Sequence, residues 1–388
     1  MVSTARRTAV FLVVVVGLLT SACASSSSPV AVTYTLGHFP AVPTGSFSQS
    51  TAGALHGVLD AAVKQGLPGI TATVLTAGGR AWSGAAGTAD GAHPVEVRSQ
   101  FGIASITKTV IAAEIMRLSE KGLLRLSDPV SEHLPPSFHF DTNGATIENL
   151  LHMESGIPDP TFFGPNDAEA NPLRDWTPEE VLATVPAVRS KPGDHFVYED
   201  ANYMLLSLVV KQTTGTSVAA ALRSDVLADP RLSSMVYQTA ERPMGPLARP
   251  FLGAQVRPNI LEVGGRYLPT EAEASYANGS GCMASDSLAL ALWGYLLFGG
   301  KLVSQQSLLA MTDFRNGVYG LGVFNQTKNN AWRGAGQAVG NGGWDDGGYA
   351  SVLAVLPNEG IVISVMTNTA GDPKALVFPV AEKLAASF

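Results

Sequence analysis

The 388-residue chain has only two cysteines, Cys23 and Cys282. A disulfide framework is therefore excluded as the source of its stability. It has no basic block: 25 Lys and Arg stand against 32 Asp and Glu, a formal net charge of −7. That balance argues against nucleic acid as a partner. Charged residues make up 15% of the chain, against 46% hydrophobic, which argues against a disordered polymer. There is no G-x-S-x-G elbow, no H-E-x-x-H and no Walker sequence, and the seven histidines are scattered. No metal or organic cofactor is implied.

After the first residues no stretch is long and apolar enough to span a membrane. The first residues differ: Arg6 and Arg7 precede the apolar run Ala9–Leu19, followed by "TSAC" ending at Cys23. A basic start, a short apolar middle and small residues describe a secretory signal over residues 1–22. "LLTSAC" resembles a bacterial lipobox, with Thr20 where leucine is commoner, and implies a lipidated Cys23 and an extracytoplasmic, membrane-anchored protein. The alternative is a secreted protein cut nearby. Without residues 1–22 the chain has 23 basic and 32 acidic side chains, a net of −9. Residues 23–50, rich in Ser, Thr, Pro and Ala, read as a flexible tether.

From residue 51 to 388 the chain reads as one folded region. A helix-like segment runs from about Thr51 to Gly66 and Pro68. "ITATVLTAGGRAWSGAAG" looks like two strands around a Gly-Gly turn. The tail holds further strand-like runs, "YGLGVFNQ", "YASVLAVLP" and "GIVISVMTN". "KALVFPVAEKLAASF" reads as one closing helix despite Pro379. Helix-like runs, including "YMLLSLVVKQTTG" and "DSLALALWGYLLFGG", lie between. The fold class expected is α+β: an antiparallel sheet flanked by helices, built from both termini, with an all-helical insertion at roughly 122–270.

Ser105 and Lys108 open the run "ASITKTVIAAEIMRLSE". Residues three apart share a helix face, so hydroxyl and ammonium would meet. A serine becomes a nucleophile only when something takes its proton. Of nine lysines only Lys108 has a serine three residues before it. It also lies on a helix apolar almost all round, where an unpaired ammonium would be costly. Cys282 reads as a small buried residue and His152 as structural.

The wider stretch "FGIASITKTVIAAEIMRLSEKGLLRLSDPVSEHLP" resembles the serine β-lactamase-like family, which includes class C β-lactamases, D-alanyl-D-alanine carboxypeptidases and esterases. "IENLLHMESGIPD" resembles its "LLxHxSGLPD" segment, "FVYEDANYMLLSLVVKQTTG" its tyrosine motif, and "GSGCMASDSLALALWGYLLFGGK" its "GGLxSTAxDL" segment. The resemblance runs from about residue 51 to the C-terminus and implies a β-lactamase/transpeptidase-like fold. It implies Ser105 as the acylated nucleophile, Lys108 as its assistant and Tyr198 as base, its phenolate favoured by the Lys108 charge.

Two positions depart from the family. Asp200 stands where the tyrosine motif usually has asparagine, and would favour a charged Lys108. On the strand where the family has Lys-Thr-Gly or His-x-Gly, "AVGNGGWDDGGYAS" offers Asn341, Gly342 and Gly343, with Asp345 and Asp346 after them. The strand's cation is missing, and Arg333 is a candidate substitute. Asp200, Asn341, Gly343 and Trp344 are the expected substrate-binding positions. The Ser105 and Trp344 amides are the expected oxyanion donors. The expected partner is a small ester, amide or peptide substrate. Esterase or amidase activity ranks first, D,D-carboxypeptidase next and β-lactamase last. The alternative is a non-catalytic cell-envelope binding lipoprotein on the same fold.

Overall fold

The run "GIVISVMTN" is apolar at nearly every position, as expected of a strand covered on both faces. In a computed structural model it lies inside the main sheet. The structure describes residues 35–161, 171–188, 190–238, 240–253, 255–256, 271–327, 332, 336–345 and 347–387. The signal-like run, Cys23, the tether up to residue 34, Arg333 and Asp346 lie outside the described residues.

The strands are β1 (Gly45–Ser46), β2 (Gly69–Thr76), β3 (Arg80–Gly87), β4 (Phe101–Gly102), β5 (Val236–Tyr237), β6 (Phe251–Leu252), β7 (Gln255–Val256), β8 (Met283–Ser285), β9 (Phe324–Asn325), β10 (Val339–Asp345), β11 (Tyr349–Leu356) and β12 (Ile361–Thr367). Seven form one sheet in the order β1-β3-β2-β12-β11-β10-β9; β4-β8-β5 form a second and β6-β7 a hairpin, so the stretch 122–270, which holds β5, β6 and β7, is not all-helical as expected. The two ends of the chain meet where β12 pairs with β2, Ser364 opposite Thr73. The sheet is mixed rather than wholly antiparallel, because the short edge strand β1 runs parallel to β3. It is tied there by the Gly45 N–H donating to Gly79 O at 2.9 Å.

The helices that frame the site are α1 (Gln49–Lys64), α2 (Thr107–Glu120), α3 (Ala201–Thr214), α4 (Ser287–Phe298) and α5 (Phe378–Ala385). Side chains alternate faces along a strand. Ile363 and Val365 of β12 therefore pack with Leu55 and Leu59 of α1 and Ala381 and Leu384 of α5. Val362 and Met366 join the opposite core, which contains Leu290, Trp293 and Leu297 of α4. Buried hydroxyls tie α4 down: Ser364 Oγ donates to Ser287 O at 2.5 Å, and Thr73 Oγ1 lies 3.0 Å from Ser287 Oγ.

The closing segment is two helices, not one: Pro373–Leu376 and then α5, parted at Val377. Pro379 falls in the first turn of α5, where a missing N–H costs no helical bond.

β10 lies directly on the turn that precedes α2. A Cβ at Gly343 would sit 2.0 Å from Ile103 O and 2.5 Å from Ser351 Oγ. Ser351 Oγ itself donates to Ile103 O at 3.2 Å. Only glycine lets the strand approach this closely. At Gly342 the nearest atom to an added Cβ is a ring carbon of Phe378, at 3.2 Å. Gly343→Ala should therefore destabilise the fold by about 1–3 kcal/mol, the range for overpacking, and Gly342→Ala by less. Thermal melts of the two variants check this; equal melting temperatures would contradict the close approach.

Candidate active site

Ser105 does not start an α-helix. It occupies a 3₁₀ turn, Ala104–Ile106, and α2 begins at Thr107. Ala104 before it holds φ 43°, a left-handed conformation rare for a residue with a side chain. The turn presents Ser105 partly exposed, while Lys108 one turn on is fully buried. Lys108 Nζ donates to Ser105 Oγ at 2.8 Å and to Ser280 O at 2.8 Å. Its third close partner is Asp200 Oδ1 at 2.7 Å. It also stands 4.9 Å from the centroid of the Tyr198 ring. The ammonium thus donates two hydrogen bonds and has a carboxylate as its counter-charge.

Burial opposes the Lys108 charge, but the Asp200 carboxylate and Tyr198 outweigh it, and the ammonium is held well above the usual lysine range. Tyr198 is raised as well. Burial is the main cause and Asp200 adds to it, while Lys108 pulls the other way. The charge at Asp200 therefore offsets part of the help that Lys108 gives the phenolate. The Tyr198 ring stacks on Phe324 with centroids 5.6 Å apart and meets the edge of Tyr319 at 6.0 Å.

Two lobes open from Ser105 and Tyr198, with Trp344 common to both. The first, about 380 Å³, is lined by the carboxylates Asp200, Glu273 and Asp345 and by Tyr276. The second, about 280 Å³, is lined by Val318, Phe324 and Phe378, with Asp372 and Lys374 contributing one charge of each sign. Trp344 is 52% exposed, large for a tryptophan.

Asn341 lines neither lobe. Its side chain is fully buried and Nδ2 donates to Gly322 O at 3.3 Å. Alternation along β10 puts Asn341 and Gly343 on the inner side, and Gly342 and Trp344 on the cleft side. Gly343 is the point of close approach to Ile103, and Asp200 is on Lys108 as well as in the first lobe. Cys282 is buried, and burial pushes its thiol up, out of the reactive range. Burial, then the Arg315 charge, lowers His152 to about 4, so it is neutral at pH 7 and lines neither lobe.

Sequence reasoning missed Glu273, Tyr276, Phe324, Lys374 and Phe378. None lies in a motif. They converge from a helix at Glu271–Ala277, from β9 and from the segment after β12.

The chain is 27% identical over 246 residues to PbpX, a penicillin-binding-like protein of Bacillus subtilis, covering 61% of this chain and 57% of that protein. It is 36% identical over 124 residues to Protein flp of Staphylococcus aureus, covering 31% of this chain and 24% of that protein. The matches thus span little more than half, and about a quarter, of these relatives. Among solved structures, the D-amino acid amidase of Ochrobactrum anthropi superposes with a TM-score of 0.72 at 23% identity, covering 87% of this chain and 98% of that one. A D-stereospecific amidohydrolase from Streptomyces superposes with a TM-score of 0.68 at 24% identity, again covering 87% and 98%. The profile of the beta-lactamase family matches residues 52–386, most of the chain, and the protein belongs to that family.

Proposed function

We propose that this protein is a serine hydrolase that opens an ester or amide through an acyl-enzyme on Ser105. The observation that carries the reading is the 2.8 Å contact between Ser105 Oγ and a fully buried Lys108 ammonium paired with Asp200. Ser105 Oγ attacks the substrate carbonyl, and its proton passes to Tyr198 in its phenolate form, a minor form because burial and Asp200 raise the phenol while the Lys108 charge draws it down. The bond to the leaving group breaks as that group takes a proton, leaving acyl-Ser105. Water then releases the acid and restores the serine. Lys108 supplies positive charge beside the developing alkoxide. The main-chain N–H groups of Ser105 and Trp344 are the proposed oxyanion donors.

Amides of small amino acids are the first substrates to test, since the structural neighbours include a D-amino acid amidase. The carboxylate-lined lobe disfavours an anionic group beside it, and the apolar lobe favours an uncharged aromatic or branched group. Lys374 at the second lobe is matched by Asp372, so the charged residues lining that lobe balance. The signal-like run and Cys23 support export and lipid anchoring. Metabolic labelling with an alkyne fatty acid should mark the wild type and not Cys23→Ala; equal labelling would contradict the anchor.

Intact mass after treatment with a fluorophosphonate probe should give one adduct in wild type and none in Ser105→Ala. A folded wild type without an adduct sinks the hydrolase reading. Asp200→Asn removes a carboxylate that raises Tyr198 and secures the Lys108 charge. Its labelling rate should rise with pH about one unit earlier than that of wild type, the scale of a single neighbouring charge. An unmoved profile would show that the Asp200 charge does not govern the proton transfer.

A further inference from the structure

Residues 191–200, which carry Tyr198, Glu199 and Asp200, contain no helix or strand of their own. Asp200 stands at the N-cap of α3 but makes no side-chain cap bond, its carboxylate being on Lys108. The cap comes from elsewhere in the chain. Ala201 N–H donates to Asp159 Oδ1 at 3.0 Å. The N–H of Asp159 donates back to Glu199 Oε2 at 2.9 Å. The two carboxyl groups lie close enough to interact, so a proton on either can bridge them.

Ionised carboxylates only accept, so this bridge exists only while the pair holds a proton. The charged surroundings favour keeping it. Glu199 and Asp200 face Asp159 from the tyrosine segment, and Tyr276 faces it from the Glu271–Ala277 helix. Lys108 on α2 is already committed to Asp200, Ser105 and Ser280. Burial, then the Asp200 and Glu199 charges, push the Asp159 carboxyl up to about 7.

We propose that Asp159 is a positioning residue: its protonated carboxyl bridges Glu199 and the first N–H of α3, and so holds Tyr198 and Asp200 against Lys108 and Ser105. The assignment rests on the hydrolase reading above. When the pair loses its proton, two adjacent carboxylates repel and the segment that carries Tyr198 and Asp200 is released. The direction follows from linkage. A carboxyl raised on folding contributes stability fully below its unfolded value near 4, and that contribution is lost as pH rises through about 7.

The test uses Asp159→Asn, whose amide can accept from Ala201 and donate to Glu199 at any pH. Fluorophosphonate labelling rates of Ser105 are measured at pH 6 and pH 8 in both proteins, with thermal melts at the same two values. A group titrating near 7 is about nine-tenths protonated at pH 6 and about one-tenth at pH 8. The ratio of the pH 8 rate to the pH 6 rate should therefore be about tenfold lower in wild type than in Asp159→Asn. The wild-type melting temperature should also fall, relative to the variant, over that interval. Equal rate ratios overturn the assignment while leaving the hydrolase reading intact. Parallel melting temperatures overturn it whatever the labelling. Absence of labelling in wild type at both values overturns the hydrolase reading itself.

Discussion

The site depends on one buried cation. An ammonium placed inside a protein without partners costs more than most folds can spare. Lys108 is fully buried and keeps its charge because three oxygens come to it from three places: Ser105 one turn away, Ser280 O after the Glu271–Ala277 helix, and Asp200 at the head of α3. Meeting that demand brings together segments more than 170 residues apart in the chain. The serine hydroxyl is oriented as a by-product of satisfying the lysine.

Asp200 changes the character of this arrangement. A carboxylate in place of the family's usual asparagine gives Lys108 a full counter-charge. It also places a negative charge beside Tyr198, which raises a phenol already raised by burial. Asp159 and Glu199 add two more carboxyls within the same few residues. The price of a securely charged lysine is a crowded acidic corner, and the proton between Asp159 and Glu199 relieves part of it.

Much of this was legible in the sequence. The all-round apolar character of α2, with one lysine three residues after a serine, marked the chemistry. The strand-like runs of β11 and β12 marked strands, and the structure buries them along their whole length. The rest depended on tertiary contact. The left-handed φ of Ala104, which makes Ser105 part of a 3₁₀ turn, has no signal in a residue as ordinary as alanine. The motif at β10 pointed to Asn341, but a strand motif does not say which face is the cleft; alternation buries Asn341 and exposes Trp344. Lys374 was invisible because it reaches the second lobe from the segment after β12, outside every motif. The apolar lobe likewise joins Val318, Phe324 and Phe378, which share no sequence pattern.

The most direct test of this account is the charge on Lys108 itself. Side-chain ¹⁵N NMR of lysine-labelled protein, with the Lys108 resonance identified by its absence in Lys108→Arg, follows that charge through a pH titration. The account predicts an ammonium that stays protonated beyond the ordinary lysine value of about 10.4. A Lys108 that loses its proton below about pH 9 would contradict it, and would make the lysine a free amine base rather than the fixed charge around which the site is built.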